Sequence, residues 1–127
     1  MAPDTPAAPQ LPLVSVIIPT YNIAEYITRS ITSALSQQGV LVEVIMIDDA
    51  STDQTVSIAR NITDPRLTIL CQPENGGPSI ARNTGIAAAK GDWIAVLDGD
   101  DYFEEGRLAN CLDQAITFKA DIVVDNL

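Results

Sequence analysis

The residues best suited to chemistry are concentrated in one short run, Asp98-Gly99-Asp100-Asp101. Carboxylates packed this closely repel one another, a tension that a divalent cation relieves. Hard oxygen donors suit Mg²⁺ or Mn²⁺. Such an ion also lets an acidic surface hold a diphosphate, by bridging carboxylate and phosphate oxygens. A calcium-binding EF-hand does not fit, because the twelfth position counted from Asp98 is Ala109 rather than Glu. Taken by itself, the run also reads as a solvated acidic turn with Asp101 near a helix start. Three other polar motifs accompany it. Pro19-Thr20-Tyr21-Asn22 offers a ring that either stacks on a base or covers the core edge. Asp48-Asp49-Ala50-Ser51 offers a carboxylate that either accepts a base ring N–H or caps a helix. Gly76-Gly77-Pro78 brings backbone N–H groups toward an anion at a helix start, with Arg82 one turn further on. A plain helix-start turn, and an Arg82 paired with a neighbouring carboxylate, are the alternatives there. Neither a Walker loop nor a dinucleotide Gly-x-Gly-x-x-Gly fingerprint is present.

These motifs need elements to position them, and the hydrophobic pattern supplies the elements. Short apolar runs predict strands at 13–18, closed by Pro19, and at 42–47, 67–71, 93–97 and 121–125. Between them lie helical patterns. Ile23, Ile27, Ile31 and Leu35 recur at helical spacing, with Asn22 and Glu25 forming a capping-box pattern before them and Gln38-Gly39 after. Ser51 and Gln54 form a second capping box, before a helix reaching about Ile62. Pro78 stands at a favourable first position of a third helix, which Gly91-Asp92 breaks. Leu108, Leu112, Ala115 and Ile116 trace a fourth. Regular strand–helix alternation predicts an α/β fold, Rossmann-like, with a mostly parallel sheet and helices on both faces. Each polar motif then falls just past the carboxyl end of a strand, where open α/β sheets bind ligands.

Composition limits the partners. The chain has 127 residues, enough for one domain with a real core, and aromatic residues make up only 5%, so that core is aliphatic. The formal net charge of −10 disfavours nucleic acid or an anionic membrane as a partner. There is no histidine to act as a base or a metal ligand. Cys71 and Cys111 are too far apart in sequence for metal-ligand spacing and read as reduced thiols, pointing to the cytoplasm. Residues 1–11, rich in proline and alanine, lack the basic and apolar regions of a signal peptide and read as a flexible tail. Residues 12–127 read as the domain. No apolar run approaches the length needed to span a bilayer.

Together the four motifs resemble those of family 2 glycosyltransferases, which have the GT-A fold. Val14-Ser15-Val16-Ile17-Ile18-Pro19-Thr20-Tyr21-Asn22 resembles the opening strand, and Asp48-Asp49-Ala50-Ser51-Thr52-Asp53 the second motif. Asn75-Gly76-Gly77-Pro78 with Ala81-Arg82-Asn83-Thr84-Gly85 resembles the third, and Leu97-Asp98-Gly99-Asp100-Asp101 the DxD-type metal motif. The resemblance implies inverting, metal-dependent transfer of a hexosyl group from a nucleotide-diphospho-sugar, commonly a UDP-sugar, to a carbohydrate or lipid-linked acceptor, as in polysaccharide biosynthesis. It places Thr20, Tyr21 and Asp49 at the nucleobase and Arg82 at the base or diphosphate. Pro19 and Gly77 complete the nucleotide site. Asp100 lies near the ribose or metal, and Asp101 is the main ligand of Mn²⁺ or Mg²⁺. The family's catalytic base belongs to a later motif with no counterpart before Leu127, so the chain reads as the donor-binding part, inactive alone. Uncovered surface on such a part predicts self-association. The full-length protein is expected in the cytoplasm, with the inner face of a membrane as an open alternative. A non-catalytic interaction module is the rival reading. An acidic-pocket signalling receiver domain fits poorly, because it carries its paired acids after the first strand.

Overall fold

The computed structural model describes residues 11–121. They form β1 (Leu13–Thr20), α1 (Ile27–Leu35), β2 (Leu41–Asp48), α2 (Thr55–Arg60), β3 (Leu67–Cys71), α3 (Pro78–Ala88), β4 (Trp93–Val96) and α4 (Arg107–Thr117). Residues 1–10 and nearly all of the fifth strand expected at 121–125 lie outside the described residues.

All pairings are parallel, in the order β3-β2-β1-β4. The chain steps outward from β1 through β2 to β3, then returns to place β4 on the other side of β1. The β1/β4 boundary is therefore the topological switch point. β1 is central and buried along almost its whole length, so it reads as a continuous apolar run rather than an alternating one. The strand runs through Pro19 instead of stopping before it. Odd-numbered β1 residues bond toward β4: Asp92 N–H donates to Leu13 O and Leu97 N–H to Ile17 O. Pro19 follows next on that side, beyond the end of β4, where its missing N–H leaves no bond unmade.

The two sheet faces are covered unequally. Val14, Val16, Ile18, Val42, Val44 and Met46 face α1, α2 and α4, packing on Ile27, Ile31, Ala34, Ala59, Leu108 and Leu112. Ile17, Ile45 and Ile47 face α3 through Ala81. Each fully buried aliphatic side chain contributes about 1.5–3 kcal/mol relative to exposure. On the α3 face the seating is close. A Cβ on Gly85 would lie 2.5 Å from Ile47 Cδ1 and 2.6 Å from Ile17 Cγ2, so only glycine lets the helix approach this near.

Two expected helix caps are not formed. α1 begins at Ile27 with no side-chain cap, and Asn22 lies outside it with φ +50°. α2 begins at Thr55, not near Ser51, and ends at Arg60. Asp53, rather than Ser51, serves its first turn, accepting the Thr55 N–H at 2.9 Å. The residues freed from capping are used at the site. Pro78 does open α3 as its first residue.

Candidate functional site

The carboxyl ends of β1, β2 and β4 and the loop into α3 enclose a cleft of about 370 Å³. Its walls are Pro19, Thr20, Tyr21, Asp49, Asn75, Gly77, Pro78, Ala81 and Asp98. Each of the four polar motifs contributes to it, because parallel strands deliver their following loops to one edge. Tyr21 is about half exposed on this wall, available as a stacking surface.

The first two loops are tied together before any ligand arrives. Thr20 and Asp48 are register partners on adjacent strands. Asp48, 2% exposed, accepts from the Ser51 N–H at 2.9 Å and the Ser51 hydroxyl at 2.6 Å. Asn22 Oδ1 accepts from the Thr52 N–H at 2.8 Å, and the Asn22 N–H donates to Ser51 Oγ at 2.9 Å. Thr55 Oγ1 receives the Ile23 N–H and donates to Asp53. That hydroxyl bond is the main reason the Asp53 carboxyl is held below the usual aspartate value. Asp48 is thus a loop-fixing residue, and Asn22 an inter-loop tie.

Asp49 does something the sequence does not reveal. It is 4% exposed, and its two oxygens accept the Gly76 N–H at 2.8 Å and the Gly77 N–H at 2.9 Å. Asn75 Nδ2 also donates to the Asp49 carbonyl. The backbone N–H groups expected to face an external anion are therefore held by an internal one. The φ of +93° at Gly77 is what turns the chain back toward Asp49. Gly77 remains a cleft wall, but this N–H pair is no open phosphate cradle.

Arg82 also departs from expectation. It is half-buried on α3, its guanidinium donates to Ser79 Oγ at 3.2 Å, and it is not among the residues lining the cleft.

The acidic run is where the strands suggested, after β4. Asp98, Asp100 and Asp101 each offer a carboxylate oxygen, and these three atoms lie within 4.8 Å of one another. On an octahedral Mg²⁺ at most one pair among three ligands is opposed, about 4.2 Å apart, and adjacent ligands stand about 3 Å apart, so the trio has to contract to enclose an ion. Charge and donor type fit a hard divalent cation. Asp98 links the trio to the cleft, since it also lines the wall. The expected ligand set was Asp100 and Asp101, and Asp98 joins them within the same 4.8 Å group. Asn75, Pro78 and Ala81 are further wall residues, quoted within the third motif but given no role of their own there. Gly99 is buried beneath the trio, where a Cβ would meet Ile23 Cδ1 at 2.3 Å and Thr20 Cγ2 at 3.0 Å. It lets the acidic loop lie against the β1 loop. Cys71 and Cys111 are free thiols, and no helix among the described residues is long and apolar enough to cross a membrane.

Comparison with known proteins gives a consistent result. The family profile described as Glycosyl transferase family 2 matches residues 15–127. The succinoglycan biosynthesis protein ExoO of Rhizobium meliloti (strain 1021) is 46% identical over 124 residues, covering 98% of this chain and 36% of that protein. The chondroitin synthase of Pasteurella multocida (strain Pm70) is 41% identical over 112 residues, covering 87% of this chain and 12% of its own. Among solved structures, S. aureus TarS 1-349 in complex with UDP superimposes with a TM-score of 0.74 at 33% identity, covering 82% of this chain and 32% of that one. The mannosyltransferase PcManGT from Pyrobaculum calidifontis, in complex with GDP-Man and Mn²⁺, gives 0.77 at 32% identity, covering 87% and 35%. The chain spans about a third of the length of ExoO and of these two solved chains.

Proposed function

This chain belongs to glycosyl transferase family 2 and has the GT-A fold, and from that premise we propose that its cleft holds the nucleotide of a nucleotide-diphospho-sugar donor for metal-dependent, inverting hexosyl transfer. One observation carries the proposal: the cleft at the β1/β4 switch point is continuous, through Asp98, with the carboxylate trio.

The base lies between the Tyr21 ring and Asp49. A carboxylate accepts hydrogen bonds and cannot donate them. Each Asp49 oxygen holds one backbone N–H and keeps a lone pair for a base N–H. Uracil and guanine present such a ring N–H, and adenine and cytosine do not. Donors recorded with the solved relatives, UDP-GlcNAc and GDP-Man, carry bases of the first kind. The diphosphate would extend toward Asp98, Asp100 and Asp101, the residues that would hold Mn²⁺ or Mg²⁺. When bound, the ion stabilises the negative charge that develops on the leaving diphosphate. The Asp48–Ser51–Asn22 network keeps the Tyr21 and Asp49 walls in place, and the Asp49–Gly76–Gly77 bonds fix the opposite rim. Arg82 gives one guanidinium bond to Ser79 and has further N–H donors to offer the base or diphosphate. An acceptor hydroxyl needs a base to take its proton, and none of the four matched motifs supplies one. The proposed role of residues 12–127 is therefore donor binding, without transfer on their own.

Calorimetry with UDP, with and without Mn²⁺, tests this on the native chain and on Asp101→Ala. The expected result is metal-dependent binding that the substitution weakens at least tenfold, about 1.4 kcal/mol. GDP should bind measurably, and ADP and CDP much more weakly. Absence of UDP and GDP binding under every metal condition would refute the donor site.

A further inference from the structure

The acidic loop is held mainly from outside itself. Between β4 and α4 its own backbone supplies few bonds, among them Asp101 N–H to Asp98 O and Arg107 N–H to Glu104 O. Further fastenings come from one stripe of α1 and the turn just after it. Arg29 and Ser33 are four apart on α1 and share one face, and Gln37 follows in the turn beyond its end, its Nε2 donating back to the Ser33 carbonyl at 3.2 Å. Arg29 donates a long 3.4 Å bond to the Asp100 carbonyl, and its guanidinium lies 4.4 Å from the Tyr102 ring centroid. Ser33 Oγ accepts the Phe103 N–H at 2.9 Å. Gln37, 7% exposed, donates to the Glu104 carbonyl at 2.9 Å and accepts the Leu108 N–H at 3.0 Å.

The last bond is a helix cap supplied from another element. The N-cap position of α4 is Gly106, which has no side chain to satisfy the first-turn N–H groups. Gln37 satisfies one of them from the end of α1. Phe103, 8% exposed, anchors the same loop in the core between these fastenings. The stripe itself cannot drift, because Ile27, Ile31 and Ala34 on the inward side of α1 are fully buried.

We infer that Arg29, Ser33 and Gln37 are positioning residues that set the acidic loop in its ligand-convergent shape before a cation binds. Without such a frame, like charges on a loop spread apart, and a metal ion has to reassemble them at a cost in affinity. With it, three carboxylate oxygens already stand within 4.8 Å of one another. The inference rests on the metal-site reading above, but its structural half is measurable without metal.

Two measurements on the full chain test it. Hydrogen exchange in metal-free buffer reports the Phe103 and Leu108 amides, and electron paramagnetic resonance reports bound Mn²⁺. Ser33→Ala and Gln37→Leu should each speed exchange at these amides at least tenfold and weaken Mn²⁺ binding about fivefold. Ser33→Thr, which keeps a hydroxyl acceptor, should restore both. Arg29→Met should weaken Mn²⁺ binding with less effect on exchange, since Arg29 bonds a carbonyl. Asp101→Ala should abolish the Mn²⁺ signal with loop exchange unchanged. Gln37 is buried, so the milder Ser33 pair decides if Gln37→Leu fails to fold. Unchanged exchange in Ser33→Ala overturns the inference outright. Faster exchange with unchanged Mn²⁺ affinity overturns the positioning role and leaves the metal site standing. A native chain with no Mn²⁺ signal refutes the metal reading itself, and the positioning role falls with it.

Discussion

Gly85→Ala sets two effects of known sign against each other. In a helix interior, alanine is better than glycine by about 1 kcal/mol. Here the new methyl would stand 2.5 Å from Ile47 Cδ1 and 2.6 Å from Ile17 Cγ2. The Ile47 atom ends a flexible side chain and can rotate aside. The Ile17 methyl branches from Cβ on the central strand, and its χ1 is stiff. Relief therefore requires α3 to lift from the sheet, and overpacking of this kind costs about 1–3 kcal/mol. With two contacts inside 3.0 Å, the upper half of that range applies. The net expectation is a loss of about 1–2 kcal/mol. In urea, with a slope of about 1.5–2 kcal/mol per molar, the midpoint should fall by roughly 0.5–1.3 M. Trp93, half-buried on β4, provides the fluorescence signal. Asn83→Ala, at an exposed position of the same helix, isolates the propensity term and should be neutral or slightly stabilising. UDP affinity should also fall in Gly85→Ala, because α3 carries the wall residues Pro78 and Ala81. A variant as stable as the native chain would refute the close seating of α3.

Further expectations concern the loops and the surface. Asp49→Ala removes the acceptor of two backbone N–H groups. Water can reach the exposed Gly76, so the loss should be about 1–2 kcal/mol rather than the full sum of two charge-assisted bonds, and limited proteolysis should find new cleavage near Gly76. Unchanged proteolysis would count against the clamp. The Asp53 carboxyl is held below its ordinary value of 3.8, chiefly by the Thr55 hydroxyl, with backbone N–H groups assisting. A lowered folded-state value stabilises the fold above the unfolded value and loses that stability as pH falls through the lowered one. The urea-midpoint gap between the native chain and Asp53→Asn should thus hold from about pH 7 to about pH 5 and close below about pH 4; a constant gap down to acid would refute the assignment. Ile94, Val96, Ile116 and Phe118 are exposed, at 45%, 44%, 70% and 77%. Concentration-dependent self-association is expected, and a strict monomer by light scattering at high concentration would sink it.

Much of the fold was legible because its signals are local. The apolar runs beginning at Leu13 and Val42, Pro78 at a helix start and the helical spacing of Ile27 and Ile31 each depend on residues close in sequence. The alternation of strand and helix then placed four polar loops at one sheet edge, which the cleft bears out. Strand bounds shifted slightly: β2 gained Leu41 and Asp48, and β4 stopped at Val96. The capping boxes failed for a different reason. Asn22 and Ser51 carry the right side chains for local caps, but parallel pairing of β1 and β2 brings their loops within hydrogen-bond distance. Inter-loop bonds then won over local ones.

The sequence by itself determined the α/β class, the aliphatic core and the sheet edge that carries the polar residues, since spacing along the chain is enough for each. Tertiary structure decided the strand order β3-β2-β1-β4, and with it which loops meet at the switch point. It also decided which polar groups find each other. Asp49 takes the Gly76 and Gly77 amides 27 and 28 residues away, and Ser33 takes an amide 70 residues away. A hydrogen-bonding side chain accepts any suitable partner that packing brings near, and for these residues the nearest partner lies across a fold that local pattern does not encode.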